Sequence, residues 1–224
     1  MTLRPQRLSM RISHAHRFVF FSNPRTGSTS LRAFLTDYSD FKGATLPAPP
    51  AQPFHDHMRP IEAREAFRRL GLDYGRYYKF VVVRNPWKRI ASTYAMIRSM
   101  RRDFTAPFVY WLETIRPFGP GGGGGGSILE TWRQYGTYSL AAFAGDGSGA
   151  LFVDDVFRLE DIDTVADKLR RRGLPIPAGA QIGVRNKSGG SVDYCELYST
   201  RRSRDVVGDL YADEIRRYRY SFPK

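Results

Sequence analysis

Two continuous apolar runs dominate the hydrophobic pattern, and each leads into a segment with helical spacing. The first, residues 17–22 (RFVFFS), ends in NPRTGSTS, and residues 30–38 follow with the spacing of a helix start. Strand, tight loop and helix in that order is the usual geometry for holding an anion at a helix N-terminus. The second run, residues 78–83 (YKFVVV), is β-branched and uninterrupted, and predicts the clearest buried strand in the chain. It ends at Arg84-Asn85-Pro86, with a helix predicted over residues 87–100. Between the two runs, residues 41–53 are rich in Pro and Ala and predict a loop, while residues 60–70 predict an amphipathic helix opened by Pro60. A further strand is expected at residues 151–153, leading through 156–159 to a helix over 162–172. Residues 198–220 read as a C-terminal helix anchored by Tyr211, Tyr218 and Tyr220. Such alternation predicts an α/β fold, a central parallel sheet flanked by helices, in one domain spanning residues 1–224.

One segment breaks the pattern. Gly121 to Gly126 are six consecutive glycines, and residues 119–127 (GPGGGGGGS) read as a flexible or engineered glycine linker within the domain.

Composition narrows the partners. The chain carries 35 Lys and Arg against 22 Asp and Glu, a formal charge of +13, which favours an anionic partner. A hydrophobic content of 42% excludes a disordered polyelectrolyte. Cys195 is the single cysteine, so an internal disulfide and a cysteine metal cluster are both excluded. No run of apolar residues is long enough to span a bilayer, and a reducing, cytoplasmic setting is expected. A soluble piece of an anchored enzyme would have the same composition.

The loop after the first strand holds Arg25, Thr26, Gly27, Ser28, Thr29 and Ser30. Its glycine permits a tight turn, successive N–H groups can converge on one phosphate or sulfate, and the hydroxyls and Arg25 add donors. The segment is not a Walker motif, because no lysine follows a second glycine. At the end of the second strand, Arg84 and Ser92 can grip a second anion. Two anion sites at adjacent strand ends suggest a nucleotide phosphorylated at both ends.

FFSNPRTGSTSLR resembles the 5′-phosphosulfate loop of sulfotransferases that use 3′-phosphoadenosine 5′-phosphosulfate (PAPS), and VVVRNPWKRIASTY resembles their 3′-phosphate strand and helix. HDHMRPIEAREAF and the Asn/Ser and tyrosine-rich C-terminal part are similar to blocks of the carbohydrate-directed branch, which includes chondroitin-type and related bacterial enzymes. The resemblance implies a P-loop-like nucleotide-binding fold, PAPS as sulfuryl donor, PAP as product and no required metal. It implies in-line transfer to a hydroxyl acceptor, a glycan in that branch, with no specific nucleic acid as partner. Arg25, Thr26, Gly27, Ser28, Thr29 and Ser30 then surround the 5′ end, and Arg84 and Ser92 hold the 3′-phosphate. Arg185, Lys187 and Ser188, beside Asn186, close over the 3′ edge. Arg25 stabilises the leaving phosphate and His57 serves as general base, with His55 the second candidate. Two departures stand out: Arg25 occupies a position where the family usually has Lys, and Arg185 precedes Asn186 where relatives often place a His nearby. The alternative readings are a P-loop-like kinase or NTPase, and a non-catalytic binder of polyanions or nucleic acid.

Overall fold

The computed structural model describes residues 10–40, 54, 57–101, 103–115, 136–183 and 193–223. The two apolar runs form the strands β2 (Phe18–Phe21) and β3 (Tyr78–Val83), which pair in parallel with Phe20 opposite Phe80. They lie at the centre of a four-stranded sheet between β1 (Arg11–Ser13) and β4 (Asp155–Arg158). β4 runs parallel to β3 and β1 antiparallel to β2, so the sheet is mixed rather than wholly parallel as expected. A short reversal between β1 and β2 explains the difference: only four residues separate Ser13 from Phe18, enough for a hairpin and too few for a crossover.

Helices cover both faces. Side chains alternate across a strand, so Val19, Phe21, Val81 and Val83 enter one apolar cluster, and Phe18, Phe20, Phe80 and Val82 the other. The second cluster is closed by α1 (Ser28–Leu35), through Leu31 and Leu35, and by a helix over Ile162–Arg171 through Val165, Ala166 and Leu169. The first is closed by α2 (Pro60–Arg69), α3 (Pro86–Met100), α4 (Phe108–Glu113) and α5 (Leu140–Ala144). With the Ile162–Arg171 helix as α6, the C-terminal part adds α7 (Tyr194–Leu197), α8 (Arg201–Leu210) and α9 (Ala212–Tyr218) on this same side.

Three local expectations are corrected. The strand expected at residues 151–153 lies later: Leu151 makes only an isolated bridge to Gly145, and the ladder with β3 starts at Asp155. The Asp154 carboxylate receives the Lys79 backbone N–H and the Tyr78 hydroxyl donates to Asp155, so polar contacts fix this edge strand where apolar content does not. The single C-terminal helix is broken at Tyr211, whose buried hydroxyl donates to the Thr137 carbonyl. Helix α3 begins one residue earlier than expected, with Pro86 in its first turn and the Asn85 side chain accepting the Lys88 N–H. The glycine run and the loop at residues 41–53 lie outside the described residues.

Among the described residues, no helix is long and apolar enough to cross a membrane.

Candidate functional site

Both central strands end on the same side of the sheet, and their loops meet there. After β2 the chain passes through Ser22, Asn23 and Pro24, then takes positive φ at Arg25 (62°) and Gly27 (76°) before α1 begins. The Thr26 hydroxyl donates to the Asn23 carbonyl at 2.7 Å and locks the turn. Glycine is required at position 27 twice over. Its backbone is left-handed, and a Cβ there would lie 2.3 Å from Leu159 Cδ1.

In the first turn of α1 the Ser30 and Leu31 N–H groups close onto the Gly27 carbonyl at 3.0 and 3.4 Å, and this end of the helix carries the positive end of its dipole. Ser28 and Ser30 are buried there. Arg32 folds back along this turn, its Nε donating to the Ser28 carbonyl at 3.1 Å and a terminal nitrogen to Thr29 Oγ1 at 3.0 Å. Sequence reasoning missed Arg32. Its signal was the spacing of three and four residues from Thr29 and Ser28 on a helix.

The two anion-ready motifs are in direct contact. Arg25 extends to α3, where Nε and a terminal nitrogen donate to Ser92 Oγ at 3.1 and 2.6 Å, and the other terminal nitrogen lies 3.7 Å from Met96 Sδ. From the end of β3, Arg84 donates to the Arg25 carbonyl at 3.2 Å and to the Tyr194 hydroxyl at 3.5 Å. Burial first, and the neighbouring Arg84 charge second, push the Arg25 pKa below the ordinary guanidinium value. The site therefore gathers two like charges and a helix N-terminus in one loop cluster. Tyr194 was missed by sequence reasoning, because 110 residues separate it from Arg84.

His57 sits next to the end of β2. Its Nδ1 lies 2.7 Å from the Ser22 carbonyl, which can only accept, so Nδ1 carries the proton and a neutral ring presents Nε2 as an acceptor. The residue has φ of 57°. His55, Arg185, Asn186, Lys187 and Ser188 lie outside the described residues. Of the basic residues near α3, Arg98 stacks over the Tyr94 ring and Arg101 pairs with Asp103. Among the described residues, no group of three or more His, Cys, Asp or Glu side chains is placed to hold a metal ion.

No known family profile matches the chain, and no solved structure matches it. Curated proteins similar to it include obelin from Obelia longissima and obelin from Obelia geniculata, each 27% identical over 179 residues. Each match covers 72% of this chain and 89% of the obelin. The proteins matched are obelins and not sulfotransferases, and this finding overturns the expected transfer of a sulfuryl group from PAPS to a hydroxyl acceptor, with His57 as general base.

Proposed function

We propose that this chain binds a nucleotide phosphorylated at both ends, with PAP as the representative ligand, across the ends of β2 and β3. The observation that carries the reading is the adjacency of Arg25 and Arg84, two like charges held together where a left-handed glycine opens a helix. Holding a partly buried guanidinium beside another cation is unfavourable, and an anion between them offsets the cost. Helix α1 directs the positive end of its dipole at a phosphate held at Gly27 to Ser30. Arg84 and Ser92, one strand over, are the candidates for the second phosphate. The overall charge of +13 adds a long-range attraction for such a ligand. The proposal extends to binding only.

Calorimetric titration with PAP, 5′-AMP and ATP, each with and without magnesium, tests it. PAP is expected to bind independently of magnesium and about tenfold or more tighter than AMP, the scale of one added charge-assisted phosphate contact. Absence of saturable PAP binding, or equal affinity for PAP and AMP, overturns the reading.

A further inference from the structure

The turn after β4 touches both halves of the candidate site at once. Leu159 packs against Gly27, and the next residue, Glu160, reaches the turn after β3. Glu160 Oε1 accepts the Asn85 backbone N–H at 2.8 Å, and Oε2 accepts the Tyr220 hydroxyl at 3.1 Å. The Asn85 side chain, itself buried, donates to the Ser221 carbonyl at 2.7 Å. Arg158 lies over the Tyr220 ring, 4.9 Å from its centroid, and pairs with Asp161. The C-terminal segment thereby closes a ring of contacts around the Arg84-Asn85 peptide.

That peptide matters because it holds the backbone on the C-terminal side of Arg84, whose N-terminal side is held by β3, so the Arg84 Cα is fixed from both sides. A carboxylate bonded to a backbone N–H is a charge-assisted contact, stronger than a neutral one. Its second oxygen is fixed by Tyr220, so the carboxylate cannot rotate without breaking a second bond. Glu160 is exposed as a residue, so packing does not account for its position; the hydrogen bonds do.

We infer that Glu160 is a positioning residue for the second phosphate of the ligand, acting through the Asn85 N–H on Arg84, with Tyr220 of the C-terminal segment as its latch. The inference rests on the nucleotide reading above. A uniformly structural role would weaken every ligand alike. A positioning role acts on the phosphate that Arg84 holds and leaves the helix-end phosphate unchanged.

The experiment is a double-mutant cycle read by calorimetry with PAP and 5′-AMP. Glu160→Gln is expected to weaken PAP by about tenfold, the scale of one hydrogen bond to a charged group, and AMP by less than about twofold. Adding Glu160→Gln to Arg84→Ala is expected to cost nothing further for PAP, because both act through one contact. Tyr220→Phe, which removes only the latch hydroxyl, is expected to reduce the PAP-to-AMP ratio by a smaller factor in the same direction. It carries the test if Glu160→Gln does not fold. Equal losses for PAP and AMP, a gain in PAP affinity, or additive losses in the double mutant overturn the inference. Failure of the parent chain to bind PAP overturns the nucleotide reading instead, so the two failures are distinct.

Discussion

The Arg25 guanidinium crosses from the β2–α1 loop to α3 and donates twice to the Ser92 hydroxyl. Arg25 and Ser92 are 67 residues apart, so this contact fastens the loop to the helix that follows β3. Removing the acceptor takes two hydrogen bonds from a partly buried charged donor. Ser92→Ala is expected to lower unfolding free energy by about 1.5–3 kcal/mol, the net contribution of hydrogen bonding to a charged group. Arg25→Met combined with Ser92→Ala should be no less stable than Arg25→Met alone. Urea denaturation of the four proteins measures the cycle, and strictly additive losses would mean that the two side chains act independently.

Leu159 gives a second cycle. Gly27→Ala meets both a left-handed backbone and the Leu159 methyl group at 2.3 Å. Adopting the left-handed conformation costs roughly 1–2 kcal/mol for an L-residue, and the clash adds to it. Leu159→Ala in the Gly27→Ala background removes only the second part. A partial rescue in thermal unfolding is therefore expected, and none at all would show that Leu159 moves aside without cost.

The central part of this architecture was legible in the sequence, and its edges were not. Residues 80–83 are apolar on both faces and helices cover both faces of the sheet, and that burial is what a continuous β-branched run encodes. β1 is only three residues long and contains Arg11, so no periodic signal announces it. β4 reads Asp-Val-Phe-Arg and is held by the Tyr78 hydroxyl bond to Asp155, whereas the more apolar residues 151–153 stay outside the ladder. The loop residues of the candidate site could be identified from their chemistry and their place after a strand. Their contacts could not. Glu160 meets Tyr220 across 60 residues and Asn85 across 75, and no spacing rule links positions that tertiary packing alone brings together.

The pH dependence of stability above the ordinary carboxylate range should report Glu214. This residue lies buried on α9, 3.6 Å from the equally buried Arg89 of α3, and accepts the Leu140 N–H. Burial raises its pKa above the ordinary carboxylate value, and the Arg89 charge only partly opposes that shift. A carboxyl with a raised folded pKa binds its proton more tightly in the folded chain than in the unfolded one. Its contribution is therefore most favourable below the unfolded value, about 4.3 for Glu, and is lost as pH rises through the folded value. Gln is the uncharged isostere of the protonated form and can still accept from Leu140. Glu214→Gln should lose this titration, so the parent's stability should fall relative to the variant as pH rises from about 4.3. Urea unfolding of both proteins at closely spaced pH values measures the difference. A parent that instead gains on the variant with rising pH would show that Arg89 outweighs burial and that the ion pair holds α9 to α3 as a fully charged contact.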